Sequence, residues 1–178
     1  MSAVESPAVA APAEEETLDE RICAYLVRKG RLKEADLARA RRVHEESDSE
    51  TLLALLTKLG LVSERDMADS VSELLHLPLL TSKDFPESPP PSVQLSVRFL
   101  KQHHIVPVGE NETEVALLMA DPAETYALQA VELATAKKVA ISVGLRSEID
   151  DLIERYYGQG RSAMGTIVET LSDENARG

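Results

Sequence analysis

The stretch Leu26–Ala40 recurs thirty residues later as Leu56–Ser70, with Leu26/Leu56, Gly30/Gly60, Glu34/Glu64, Asp36/Asp66 and Ala38/Ala68 in register. A repeat of this period fixes the architecture before any motif is considered. Each copy reads as a helix end, a glycine, two residues of apolar character and a second helix. Gly30 and Gly60 suit the left-handed position that closes a helix, because glycine has no Cβ to clash there. The first third of the chain is therefore a duplicated helical hairpin.

With 178 residues, 43% hydrophobic and 28% charged, the chain can build one ordinary core or two small ones. Its formal net charge of -12 argues against a general nucleic-acid or anionic-membrane surface, where Lys and Arg must neutralise phosphate. A basic face is still expected locally, since Arg21, Arg28, Lys29, Arg31, Lys33, Arg39, Arg41 and Arg42 crowd into the first repeat. The single cysteine, Cys23, cannot form an internal disulfide, and beside Ile22 and Leu26 it reads as a core residue of a protein from a reducing compartment. The N-terminus lacks the basic and long apolar regions of a signal peptide, and no apolar run approaches the roughly 20 residues of a spanning helix.

Periodicity and capping signals divide the chain. Residues 1–16, mostly Ala, Pro and Glu, read as a disordered arm. Thr17 with Glu20 forms a capping-box pattern opening a helix with Ile22, Cys23, Leu26 and Val27 inward. A second helix from Lys33 should bury Leu37, Ala40 and Val43, a third Leu52, Leu53, Leu55, Leu56 and Leu59. A fourth is opened by Ser63 and Asp66 and carries Met67, Val71, Leu74 and Leu75. This helical subdomain spans 17–81. The prolines of 82–92 make a stiff linker. From 93 to 158 the pattern changes to a short helix at 93–102, a strand at Ile105–Val108, a loop at 109–112 and a buried strand at Val115–Ala120. A helix opened by Asp121, Pro122 and Glu124, a third strand at Val139–Val143 and a final helix capped by Ser147 and Asp150 and stopped by Gly158 complete it. Pro107 donates no ladder bond, which puts its strand at an edge. Residues 159–178 read as a flexible tail. The fold class is α+β: a four-helix subdomain followed by a small three-stranded α/β sandwich.

Candidate chemistry is sparse. The helical hairpins raise DNA binding, but residues Glu64–Glu73 of the candidate recognition helix are acidic. Gly160 and Gly165 have P-loop spacing, yet Thr166 stands where the phosphate-binding Lys is needed. His103 and His104 are adjacent and so point in different directions, without a cluster to complete a metal site. They read as helix-end histidines, and Asp150, Asp151 and Glu154 as solvated acids on a helix start. No catalytic residues, metal ligands or cofactor site follow from the sequence.

Residues Gly144–Glu169 resemble the segment that leads into the core of type II secretion ATPases, the general secretion pathway protein E family. Leu100–Gly109, Met119–Pro122 and Gly60–Asp66 resemble the N-terminal domain of the same family, in the form found in Xanthomonas-like bacteria. The likeness runs over about residues 20–170. It implies a non-catalytic docking and regulatory module, helical first and α/β second. In the family, that module binds the cytoplasmic domain of the inner-membrane platform protein, general secretion pathway protein L, and so recruits a hexameric ATPase for protein secretion. The implied chain is cytoplasmic and peripheral to the inner membrane through its partner, binds no nucleic acid, and by itself neither hydrolyses ATP nor binds zinc; the hexamer depends on the ATPase core. Arg21, Arg28, Arg39 and Arg42 are the candidate partner-binding residues.

The same fold family includes cyclic di-GMP receptors built on two tandem Arg-Leu-Gly-type elements, and the thirty-residue repeat is similar to those copies. Arg21, Leu26, Val27, Gly30 and Leu32 match in the first copy, as does Leu37. In the second, Leu56, Gly60, Leu61 and Val62 match, with Met67. Cys23 replaces a glycine, Arg31 an aliphatic and His44 a glutamine; Thr51 replaces an arginine and Leu53 a glycine. These changes remove cationic and close-backbone contacts to a dinucleotide, which leaves ligand reception as the alternative to docking.

Overall fold

A computed structural model describes residues 16–47 and 49–158; the expected arm up to Glu15, the tail 159–178 and the P-loop-like glycines lie outside them. Contacts divide the described residues into two compact units, one up to Ser70 and one from Val71.

The first unit is the duplicated hairpin. Helix α1, Leu18–Arg28, opens on the Thr17–Glu20 capping box: Glu20 N–H donates to Thr17 Oγ1 (3.2 Å) and Thr17 N–H to Glu20 Oε2 (3.3 Å). It closes where Gly30, at φ +74°, donates to the Val27 carbonyl (3.0 Å) and Arg31 to that of Leu26 (2.8 Å). This is a Schellman motif. Helix α3, Leu52–Lys58, is capped by Thr51 and ends in the same way thirty residues on: Gly60 donates to Thr57 (3.1 Å) and Leu61 to Leu56 (3.0 Å). The sequence repeat is thus a repeat of hydrogen bonds. Helix α2, Glu34–Glu46, buries Leu37 and Ala40, and α4, Glu64–Leu75, of which the part up to Ser70 belongs to this unit, starts from Ser63, whose Oγ accepts from Asp66 N–H (3.0 Å). Two apolar expectations fail. Val43 is 36% and Leu59 43% exposed, Val43 lying beyond the buried Leu37 and Ala40 of α2, and Leu59 being the C-cap of α3 rather than part of its stripe.

In the second unit, β1 (Ile105–Glu110), β2 (Glu114–Met119) and β3 (Lys138–Val143) form one sheet in the order β1-β2-β3. β1 is antiparallel to β2, with a bulge between Pro107 and Gly109, and β3 is parallel to β2. Pro107 therefore sits on an edge strand, as a residue that donates no ladder bond should. Helix α6, Thr125–Thr135, makes the crossover that a parallel pair requires. Leu117 and Leu118 are consecutive and both fully buried, so both faces of β2 are covered. Helices α5, Val97–His103, and α7, Arg146–Ile153, add Leu100, Ile149, Leu152 and Ile153 to this core.

Several boundaries differ from the sequence reading. α5 begins at Val97, because Ser96 rather than an earlier residue accepts from Phe99 N–H (3.1 Å). Asp121 does not cap α6: its Oδ1 accepts from Ala123 N–H (2.9 Å), an Asx turn that delays the helix to Thr125. Neither Ser147 nor Asp150 caps α7, whose N-cap is Leu145, and α7 runs on as a π-helical turn, Glu154–Gly158. Residues 78–80, read as the end of the bundle, lie along β3 instead, with Val143 donating to the Pro78 carbonyl (2.8 Å) and accepting from Leu80 N–H (2.9 Å).

Candidate docking surface

α1 places Ile22, Cys23 and Leu26 in the core and leaves Arg21 and Arg28 exposed. The two arginines are seven residues apart, about 10.5 Å along one helix face. Between them lies half-buried Tyr25. The Arg28 guanidinium carbon is 5.4 Å and the Lys29 ammonium 5.5 Å from the centre of its ring, inside the range of cation–π attraction. Arg39 and Arg42 are exposed on α2, and Arg39 is drawn to Asp36 at 3.6 Å. The four candidate arginines thus fall into two pairs, one on each helix. Tyr25 and Lys29 were outside the candidate set; the signal for them was the spacing of an aromatic three and four residues before two cations.

Arg31 is not part of the exposed set. Half-buried, it donates from Nη1 to Ser70 Oγ at 2.7 Å, and Ser70 is fully buried. Of the tandem-motif residues, Leu26, Leu32, Leu56 and Val62 are buried core, Val27 and Leu61 are half-buried, and Gly30 and Gly60 are the two left-handed turns. Thr51, standing in the second copy where Arg21 stands in the first, serves as N-cap, its Oγ1 accepting from Ala54 N–H (3.2 Å). Asp19, on the first turn of α1, has its carboxyl held above the usual range by burial; nearby His44 pulls it down and Glu20 pushes it up.

In the second unit, His103 and His104 each meet a carboxylate. His103 Nδ1 contacts Glu124, its ring flanked by Phe99 and Tyr126 at 4.6 and 5.7 Å. His104, in the left-handed conformation at φ 52°, meets Asp150 through Nδ1 (2.7 Å) and the Arg146 guanidinium through Nε2 (2.8 Å). Asp150 is thus not the solvated acid its place on a helix start suggests; its contact with His104 arises because Arg146 and Asp150 are four residues apart on one face of α7. No group of three or more His, Cys, Asp or Glu among the described residues could hold a metal ion, and none of their helices is long and apolar enough to cross a membrane.

A family model described as the MshEN domain matches residues 75–163, and this chain belongs to that family. It is 55% identical over 165 residues to type II secretion system protein E of Xanthomonas campestris pv. campestris, covering 90% of this chain and 29% of that protein. It is also 24% identical over 154 residues to the type IV pilus assembly ATPase PilB of Myxococcus xanthus, covering 86% and 27%. The chain thus spans less than a third of the length of these curated relatives. Among solved structures, the N-terminal domain of XpsE matches with a TM-score of 0.73 and 49% identity, over 81% of this chain and 99% of that one. A structure of MshE with cdg matches with a TM-score of 0.59 over 76% and 98%, at 21% identity, which is a likeness of fold. The resemblance to the N-terminal domain of type II secretion ATPases, and the α+β class, are borne out.

Proposed function

We propose that this chain is a non-catalytic docking and regulatory module of a type II secretion ATPase, binding the cytoplasmic domain of general secretion pathway protein L. The observation that carries the reading is one of extent. The chain matches 99% of the XpsE N-terminal domain but 29% of type II secretion system protein E, so it corresponds to an accessory domain of a longer ATPase. In this reading ATP hydrolysis and hexamer formation belong to the remainder of that ATPase, and the module reaches the inner membrane through its partner. Arg21, Arg28, Arg39 and Arg42 supply exposed cations for the contact. Calorimetry with the partner's cytoplasmic domain tests this: saturable one-to-one binding is expected, and no heat at high micromolar concentrations would sink the reading.

The second reading, a cyclic di-GMP receptor, draws on the paired Schellman turns at Gly30 and Gly60 and on the fold shared with MshE, whose structure carries cdg. Against it stand Thr51, an N-cap that leaves the second copy without a cation where the first has Arg21, and Arg31, which takes an aliphatic position of the first copy and is engaged with Ser70. The tandem copies also precede residues 75–163, which the family model matches. A ligand that binds only the folded state raises its melting temperature; an unchanged melting temperature at high micromolar cyclic di-GMP removes this reading.

A further inference from the structure

Residues 21–42 hold eight cations against two carboxylates, Glu34 and Asp36, a local net charge of +6 in a chain of -12. Among the described residues Arg39 has a carboxylate partner and Arg31 is bound to Ser70. Arg21, Arg28, Lys29 and Arg42 make no ion pair there, and all four are exposed. On α1, Tyr25 stands among three of these and holds two of them over its ring. Holding long cationic side chains against an aromatic face lowers the rotamer entropy they lose when a partner binds, and a Tyr–Arg combination is the composition of an interface hot spot.

We infer that Tyr25, Arg28 and Lys29, with Arg21, form the anchor of the docking surface, and that the partner surface seated on it is a compact acidic patch of a folded protein. The inference rests on the docking reading above and adds its residues and the chemistry of the partner. Charge complementarity selects that occupant. A duplex or an anionic bilayer presents negative charge over distances well beyond the Debye length of about 8 Å at physiological salt. It would therefore act on the chain as a whole, whose formal net charge is -12, as well as on this stripe. Stable attachment to either also takes several cations acting together, whereas this stripe extends about 10.5 Å. A small group of Asp or Glu side chains matches an area of that size.

The test is calorimetry of the chain with the partner's cytoplasmic domain at 50 and 300 mM NaCl. Arg28→Glu/Lys29→Glu should weaken binding at least about thirtyfold and flatten its salt dependence, and Tyr25→Ala about tenfold. Tyr25→Phe, which keeps the ring, should stay within about threefold, as should Arg98→Glu in the second unit. If the wild-type chain binds but the double reversal and Tyr25→Ala leave Kd within twofold, this inference falls and the docking reading stands. If the wild-type chain does not bind, both fall together. Equal or tighter binding to phosphatidylglycerol vesicles or to duplex DNA would overturn the acidic-protein occupant.

Discussion

The guanidinium of Arg31 donates to the hydroxyl of Ser70, thirty-nine residues away, at 2.7 Å. By the thirty-residue repeat, position 31 corresponds to Leu61 and position 70 to Ala40, so two apolar positions of the duplicated scaffold have become a polar pair. The pair ties the turn of the first hairpin to the helix of the second. Ser70 is fully buried, and losing a hydrogen bond to a charged group costs about 1.5–3 kcal/mol. Ser70→Ala should therefore destabilise the chain by about that amount in urea unfolding. Arg31→Leu together with Ser70→Ala should recover much of it, because both partners then become apolar. Additive losses in that double-mutant cycle would show the contact to be energetically idle.

Gly30 and Gly60 sit at φ +74° and +75°, with nothing within 4 Å of where a Cβ would be. Replacement by Ala should then cost the left-handed backbone penalty alone, about 1–2 kcal/mol at each, and the two costs should add because the turns share no partner. Gly144 differs: a Cβ there would meet Leu118 Cδ1 at 2.9 Å, in a residue that is otherwise at ordinary φ. Gly144→Ala should instead be relieved by Leu118→Val, while Gly30→Ala should not. Unfolding midpoints of the four single variants and of the three doubles, Gly30→Ala/Gly60→Ala, Gly144→Ala/Leu118→Val and Gly30→Ala/Leu118→Val, decide this.

The repeat was legible because Schellman turns leave a glycine at a fixed place relative to the last apolar residue of each helix, and because Thr17 and Ser63 are caps with local partners; Thr51, which the sequence shows only as the replacement of an arginine, is a third. What sequence did not disclose are contacts closed by tertiary folding. His104 finds Asp150 and Arg31 finds Ser70 across 46 and 39 residues, separations that no periodicity encodes. Val43 and Leu59 fit an apolar pattern yet stay exposed, since period alone does not say where a helix face runs out of neighbours. Asp121 and Ser147 carried the right residue types for caps, but Asp121 formed an Asx turn and Ser147 lies inside α7. At the candidate surface the arginines were visible as composition, whereas the stacking of Arg28 and Lys29 on Tyr25 required the side chains to be placed.

His104 accepts from Arg146 at Nε2 and so carries its proton on Nδ1, donating to Asp150. Nitrogen chemical shifts of His104 should report the Nδ1–H tautomer, and Arg146→Met should remove that bias. His104→Ala should lower stability by about 1–2 kcal/mol, combining a lost hydrogen-bonded pair with a left-handed φ that Ala tolerates poorly. His104→Asn, better suited to that conformation, should cost less. An unchanged tautomer in the Arg146→Met variant would show that Asp150 alone sets it.

Asp19 gives the chain a pH dependence whose sign follows from burial. Its folded carboxyl is held above the ordinary value of 3.8, chiefly because burial disfavours the ionised form. The native state therefore holds this proton more tightly than the unfolded chain does. Stability from this group falls as pH rises from the ordinary value through the raised one, and the full penalty persists at neutral pH. Asp19→Asn removes the ionisation and should raise the melting temperature at pH 7, an advantage that shrinks as the pH is lowered towards 4. His44 lowers the Asp19 value, so the gain from Asp19→Asn should be larger in the His44→Ala background than in the wild-type chain. Melting curves of the four chains at pH 4, 5.5 and 7 give the comparison, and a gain independent of pH would rule out ionisation of Asp19 as its source.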